Sequence, residues 1–174
     1  SDDAPPLLWC LGDLELLKRS SVALVGARNA SARGQRLARA LAKGLGAEGQ
    51  LVVSGLARGI DAAAHDAALP TGTIAVVAGG VDVIYPKENM KLYGQLVAPG
   101  MILSEQTIGK QPQARHYPKR NRLLTALARA VVVVEATVKS GSLLTARDAA
   151  EQGREVMAVP GHPFDGRAAG CNQL

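Results

Sequence analysis

The stretch LVVSGLARGIDAAAH, residues 51–65, decides the fold of this chain. Its apolar run, residues 51–53, stops at Ser54 and Gly55, and a further glycine, Gly59, precedes an alanine-rich segment suited to a helix. This order predicts a buried strand, a tight turn of small residues and a helix start. The backbone N–H groups at a helix start lack intrahelical partners and point outward, so the turn is a ready site for an anion.

The rest of the chain repeats this unit. Strands are predicted at residues 22–25, 51–53, 73–78, 101–103, 131–134 and 155–159, and helices at 32–47, 58–69, 87–97, 118–128 and 140–152. Such alternation indicates an α/β fold with a mostly parallel sheet and helices on both faces. Residues 1–20 form a lead-in with a short extended piece and one or two helical turns, and residues 21–174 form the domain.

Composition and charge restrict the class of protein. The 174 residues suffice for one domain with a sizeable core, which must be aliphatic because only 3% of the residues are aromatic. The net charge of +5 favours an acidic partner, with nucleic acid first. The alternative is a soluble protein that is merely basic.

The cysteines and the N-terminal residues bear on location. Cys10 and Cys171 lie at opposite ends without metal-ligand spacing, which fits a reducing cytoplasm and predicts no metal. Residues 1–6 are acidic and proline-containing, unlike a secretory leader. No apolar run approaches the roughly 20 residues that span a bilayer, so no membrane partner is expected.

The carboxyl ends of the predicted parallel strands should share one edge of the sheet, where ligands bind in open α/β sheets. They read Gly26-Ala27-Arg28, Ser54-Gly55, Gly79-Gly80, Ser104-Glu105, Glu135-Ala136 and Pro160-Gly161. The first turn, GARNASARG, is not GxGxxG, so a Rossmann-type nicotinamide site is not predicted. No GxxxxGK[ST] run occurs, which excludes a P-loop.

Phosphate binding by helix starts and arginines remains. Arg28 follows a strand end, and Ser54, Gly55 and Gly59 offer backbone donors. The run Ser140-Gly141-Ser142 opens another helix and adds hydroxyl groups. Each turn alone is explained by chain reversal, but several on one edge favour an anion site. No cofactor is expected.

The densest cationic cluster comprises Arg115, Lys119, Arg120 and Arg122. Cations near a helix N-terminus oppose the helix dipole, which favours a functional interpretation over a solvated basic face. Tyr117 either stacks on a base or covers the core. Because aromatic residues are few, binding led by the nucleic-acid backbone, without sequence preference, is expected.

Catalytic constellations are weak. Asp61 and His65 are four residues apart on one predicted helix face and are interpreted as a hydrogen-bonded structural pair. A base with its orienter, or a pair of metal ligands, is the alternative. His116 and His162 have no evident partner, so no catalytic residue is assigned.

Nearly the whole chain, from about Pro6 to Leu174, resembles the DNA-processing protein A family, also called DprA or Smf. The matching stretches are VALVGAR, VVSGLARGIDAAAH, GTIAVVAGGVDVIYP, ILSE, HYPKRNRLLTALA, VVVVEATVKSGSLLTARDAAEQGREVMAVPG and GCNQL. Together they are highly specific. In two places the chain departs from the family pattern: Ala27 stands where Ser is frequent, and Tyr117 stands where Phe is usual.

The resemblance implies an extended Rossmann-like fold and a non-catalytic, homodimeric protein that binds single-stranded DNA. It also implies protection of incoming DNA and loading of the RecA recombinase during natural transformation. The family's pocket falls on Arg28, Ser54, Gly55, Arg58, Gly59, Lys119, Arg120, Asn121, Ser140, Gly141 and Ser142.

The alternative is an enzyme acting on a nucleotide monophosphate, of the lysine-decarboxylase-like phosphoribohydrolase type. The chain resembles that family less, since the family's PGGxGTxxE run is absent and the segment SGSLLTARDAAE matches it only in part. Glu135 and Glu151 are the residues on which such activity would depend. A third alternative is an interaction scaffold that touches DNA only incidentally.

Overall fold

The predicted alternation of strands and helices is confirmed by a computed structural model, which describes residues 4–174. The strands are β1 (Trp9–Gly12), β2 (Ser21–Val25), β3 (Leu51–Ser54), β4 (Thr73–Val76), β5 (Met101–Ser104), β6 (Ala130–Val133) and β7 (Glu155–Ala158). The α-helices are α1 (Ala32–Ala47), α2 (Ile60–Ala68), α3 (Met90–Val97), α4 (His116–Leu127) and α5 (Ser142–Glu151). Short 3-10 helices cover Leu14–Lys18, Leu69–Thr71, Lys87–Asn89 and Cys171–Gln173.

The strands form one sheet in the order β1-β5-β4-β3-β2-β6-β7. All neighbouring strands run parallel except β1, which is antiparallel to β5. The chain adds strands on one side of β2 as far as β5 and then crosses to its other side with β6. The carboxyl ends of β2 and β6 therefore flank a topological switch point, where ligands bind in such sheets.

The segment assigned to a lead-in, residues 1–20, contributes to the sheet. In β1, Trp9 lies opposite Ser104 and Gly12 opposite Met101. Leu16, in the 3-10 helix that follows, is buried in the core. Of the stretch judged unlike a leader, residues 1–3 lie outside the described residues.

Helices cover both faces of the sheet, as predicted. On one face, Leu123 and Leu124 of α4 and Ala149 of α5 pack with strand residues that include Val53 and Val133. Alternate strand residues point to opposite faces, so the neighbouring strand positions form the core on the other side.

On that other face α1 and α2 pack together through small residues. Ala42 of α1 and Ala64 of α2 join Leu24 and Val52 of the sheet in one buried cluster. Alanine at these contacts lets the two helices approach each other and the sheet closely. α3 covers the remaining strands on this face.

The bounds of α1 coincide with the sequence prediction. Ser31 caps the helix by accepting a hydrogen bond from the Gly34 N–H at 3.0 Å. Beyond the end of the helix, Gly49 has a φ of 73°, a conformation that favours glycine.

Candidate nucleic-acid interface

Two adjoining cavities, of about 520 and about 810 Å³, open at the carboxyl edge of the sheet. We name the smaller the apolar cavity and the larger the polar cavity. Arg28, Ala57, Tyr117 and Arg120 line both. These four residues therefore form a shared wall, which carries two positive charges.

The apolar cavity lies beyond the end of β4. Its walls include Leu56, Val77, Val83, Ile84 and Pro86. Arg58, Lys87 and Glu88 add charged groups to these walls. A volume of this size with apolar and polar groups side by side is typical of sites that take a small organic group such as a nucleobase.

The polar cavity lies at the switch point between β2 and β6. Gly26 and Ala27 line it from the end of β2, and Glu135 and Thr137 from the end of β6. The start of α5 and Asn121 of α4 complete this wall. Of the strand ends predicted to share one edge, those of β2 and β6 line this cavity, whereas Gly55 and Gly79 line the apolar cavity. Ser104-Glu105 and Pro160-Gly161 line neither.

Tyr117 lies between two arginines in the shared wall. The guanidinium carbon of Arg28 is 5.1 Å from the ring centroid, and that of Arg120 is 5.7 Å from it. Both distances fall within the range of cation–π attraction. Burial and the neighbouring Tyr85 hydroxyl raise the pKa of the Tyr117 phenol, which is therefore neutral. The ring for which base stacking and covering of the core were the two alternatives thus lies against two arginine side chains.

Arg120 is the buried cation of the site, only 8% exposed. Burial lowers the pKa of its guanidinium, and the field of Asp61 opposes that shift. Burial raises the pKa of the Asp61 carboxyl, and Arg120 opposes that shift in turn. A Cβ added at Gly55 would lie 1.4 Å from Nη1 of Arg120, so Gly55 provides the space that the guanidinium occupies.

Asp61 and His65 do not form the predicted pair. Asp61 accepts hydrogen bonds from the N–H groups of Gly55 at 3.1 Å and Ala57 at 3.3 Å, and so fixes the turn after β3. His65 Nδ1 lies 2.8 Å from the hydroxyl of Thr73, which itself donates to the Val52 carbonyl at 2.7 Å. His65 therefore donates from Nδ1. Burial lowers its pKa to about 3, so the ring is neutral.

Ser54 and Gly59 shape the site without lining either cavity. The Ser54 hydroxyl is fully buried and donates to the Leu24 carbonyl at 2.6 Å. Gly59 has a φ of 77°, and a Cβ there would lie 2.3 Å from the Ala27 carbonyl oxygen. That both residues offer backbone donors to a ligand stays a prediction.

The cationic cluster does not form a single surface. Arg120 lies on the buried stripe of α4 with His116 and Leu123, spaced for one helix face. Arg115 and Lys119 are exposed, and Lys119 lines neither cavity. Arg122 forms an ion pair with Glu105 at 2.8 Å. Only Arg120 of the four therefore enters the site.

Arg58 lines the apolar cavity at its exposed edge. Its guanidinium is 3.8 Å from the carboxylate of Glu88, and both side chains are more than half exposed. An exposed pair of this kind is weak, so Arg58 can reorient towards a phosphate at little cost.

The start of α5 is prepared for an anion. Ser142 is only 9% exposed, lines the polar cavity, and has no hydrogen-bond partner for its hydroxyl within residues 4–174. Ser140 instead fixes the preceding turn, accepting from the Thr137 N–H at 2.9 Å. Gly141 also lines the cavity, and a Cβ there would meet no atom within 4 Å. Gly141 and Ser142 therefore border the cavity at a helix start, where the helix dipole favours an anion.

Arg167 belongs to the site but is not among the residues predicted from the sequence. Its guanidinium lines the polar cavity, donates to the Asn29 carbonyl at 3.0 Å and lies 4.0 Å from Glu135. Arg167 belongs to the irregular C-terminal segment, which has no periodicity to place it. No signal in the sequence joins residues 138 positions apart.

The two glutamates of the alternative enzyme are not placed as a pair. Glu135 accepts hydrogen bonds from the N–H of Ser31 at 2.9 Å and from the Ser31 hydroxyl. Its carboxylate thus fixes the start of α1. Glu151 is exposed, binds Arg147 at 2.8 Å and lines neither cavity.

Residues 4–174 contain no group of three or more His, Cys, Asp or Glu side chains arranged to hold a metal ion. None of the helices described is both long and apolar enough to pass through a bilayer.

Comparison with protein families gives one match, to the model for DNA recombination-mediator protein A, over residues 1–174. The chain is 47% identical over 174 residues to the DNA processing protein DprA of Streptococcus pneumoniae. It is 43% identical over 175 residues to that of Bacillus subtilis. These alignments cover 99% of this chain but only 61% and 59% of the two relatives, so the chain spans about three fifths of their length.

The solved structure of the Streptococcus pneumoniae protein matches with a TM-score of 0.93 and 46% identity, over 98% of this chain and 61% of that one. A structure of DNA processing protein A from Helicobacter pylori matches with a TM-score of 0.94 and 34% identity, over 100% of this chain and 80% of that one. The latter is described by its single-stranded DNA binding mode. The mixed α/β, Rossmann-like architecture agrees with both.

Proposed function

This chain belongs to the DNA recombination-mediator protein A family, and on that premise we propose that it binds single-stranded DNA at the two cavities. The observation that carries the proposal is the shared wall, where Arg28 and the buried Arg120 flank Tyr117. Two cations lie against one ring, and the buried carboxylate beside them, Asp61, balances one of the two charges. One positive charge therefore remains for a ligand to neutralise.

The residues divide by role in this proposal. Phosphate is bound by Arg28, Arg120, Asn121 and the Ser140-Gly141-Ser142 turn, and at the other rim by Arg58. The apolar cavity takes a base, while Lys119 on the outer face of α4 attracts the strand. Ser54, Gly55 and Gly59 act indirectly, because they fix the turn and leave room for Arg120.

Binding of this kind contacts the phosphates and does not depend on the base sequence of the DNA. Affinity should fall with salt, with a log–log slope of about −0.7 for each phosphate contacted on a single strand. A duplex, whose bases are paired and stacked, offers no base to the apolar cavity and should bind more weakly.

We further propose, on the family resemblance, that the protein acts without catalysis in the cytoplasm, as a homodimer. Its DNA-bound form would protect incoming single strands and load the RecA recombinase during natural transformation. These are proposals for the whole protein, of which the described cavities supply the DNA contact.

The test is a fluorescence-anisotropy titration of a labelled 20-nucleotide single strand. Arg28→Ala should weaken binding about tenfold or more, the usual loss for a charge-assisted contact. Arg36→Ala is the matched control: it removes the same charge from an exposed position of α1 that lines neither cavity. Equal effects of the two substitutions, or affinity independent of salt, would show that the cavities are not the DNA site.

A further inference from the structure

The residues between Gly161 and Asn172 form a closed surface loop, which we name the rim loop. The Gly161 N–H donates to the Asn172 side-chain oxygen at 3.0 Å, and the Asn172 amide donates back to the Gly161 carbonyl at 3.1 Å. Compact loops whose ends meet in this way are frequently functional.

The rim loop is fastened to the edge of the polar cavity. Arg167 reaches across to the Asn29 carbonyl at 3.0 Å, and the Gly170 N–H donates to the Ala136 carbonyl at 2.8 Å. Ala168 is buried beneath the loop. The backbone of the rim loop is thus held at several points, next to the start of α5.

Residues 161–167 of this loop are exposed, and one of them carries a large apolar side chain. Phe164, the one phenylalanine in the sequence, is 93% exposed. Its ring lies 5.7 Å from that of His162, at an interplanar angle of 48°. Compact loops usually pack their own side chains, and a phenyl ring is among the largest apolar groups a fold can bury. Packing therefore does not explain the position of Phe164.

Its surroundings indicate the chemistry of a partner. Arg167, three residues on, lines the polar cavity and is half exposed. Lys139 is exposed on the same cavity. An exposed aromatic ring three residues before an arginine that lines a cationic cavity matches a nucleotide, whose base stacks while its phosphate is bound.

We infer that Phe164 is a second nucleobase site, on which the base of a nucleotide leaving the polar cavity stacks. The inference rests on the proposed function, because it assigns the path of the same single strand beyond the cavity. The stacking needs no particular base, since every base has a π-face.

The test compares short and long strands bound to the whole chain. Phe164→Ala should weaken binding of a labelled 12-nucleotide poly-dT strand about fivefold, the lower end for loss of a stacked base, and leave a dinucleotide unaffected. Phe164→Trp should restore the affinity. Leu14→Ala, which truncates an apolar side chain 57% exposed on the 3-10 helix after β1, is the matched control and should have no effect.

Strands with a single abasic site then locate the contact. At one position, loss of the base should weaken the native protein about fivefold and the Phe164→Ala protein no further. If no abasic position weakens binding to the native protein in this way, or if Phe164→Ala weakens binding of the dinucleotide and the 12-nucleotide strand equally, this inference is wrong and the proposed function still stands. Failure of the native chain to bind any single strand would overturn the proposed function, and this inference with it.

Discussion

Replacing Gly55 by alanine tests whether the position of Arg120 controls the site. The added Cβ would lie 1.4 Å from Nη1 of Arg120, whereas non-bonded atoms pack at about 3.5 Å. The guanidinium must therefore move by about 2 Å. It is a flexible end, but Asp61 and Tyr117 confine it on either side. The substitution should displace Arg120 rather than unfold the protein.

The displacement has a calculable cost. The guanidinium carbon is already 5.7 Å from the Tyr117 centroid, close to the roughly 6 Å limit of cation–π attraction, so a shift of this size ends that contact. A charged hydrogen bond to a ligand is worth about 1.5–3 kcal/mol. The Kd for a 20-nucleotide single strand should accordingly rise about tenfold or more in an anisotropy titration.

Two control variants distinguish an effect of the position of Arg120 from an effect on the stability of the fold. Gly44→Ala adds a Cβ that meets no atom within 4 Å, so it should leave Kd unchanged and raise the free energy of unfolding by about 1 kcal/mol. The double variant Gly55→Ala/Arg120→Ala should bind single-stranded DNA no worse than Arg120→Ala alone, because both substitutions remove the same contact between Arg120 and the ligand. Additive losses, or native affinity in Gly55→Ala, would refute the reasoning.

Three further predictions concern stability, measured by urea unfolding. Gly46→Ala should lower the free energy of unfolding by about 1–3 kcal/mol, although alanine is the better helix former, because the added Cβ would lie 2.4 Å from the Thr71 hydroxyl. A higher free energy of unfolding would contradict this. Ser31→Ala should cost about 1–2 kcal/mol, since the helix cap and a partner of Glu135 are lost together. His65 has a folded pKa of about 3 against 6.5 unfolded, so the unfolded state binds the proton first and stability falls as pH drops from 6.5 towards 3, by at most about 1.4 kcal/mol per pH unit. His65→Gln should remove this slope, and an unchanged profile would assign it to other groups.

Local chemistry made much of the fold predictable. α1 has a capping serine before it and a glycine beyond its end, so both bounds follow from neighbouring residues. The pairing of Trp9–Gly12 with β5 joins segments about ninety residues apart. Its sequence indicates an extended piece but carries nothing that selects the partner strand.

The site was predictable as a location and less so in its details. Small residues at strand ends identify the edge, but Ser54 belongs to a strand buried on both faces, so its hydroxyl turns to a neighbouring carbonyl. Among the cations of α4, helix periodicity separates the buried Arg120 from Lys119 once the stripe through Leu123 and Leu124 is recognised. Arg167 arrives from a distant loop, which only the folded chain shows.

Burial lowers the pKa of Arg120, and the repulsion between the two guanidinium groups on Tyr117 adds to that shift. The folded chain therefore carries an electrostatic repulsion that a bound anion reduces. Dissolved anions therefore act in two ways, by screening the strand at long range and by occupying the wall itself. Multivalent anions such as phosphate or sulfate should then compete with DNA more strongly than chloride at the same ionic strength, so the choice of buffer anion becomes a probe of this wall.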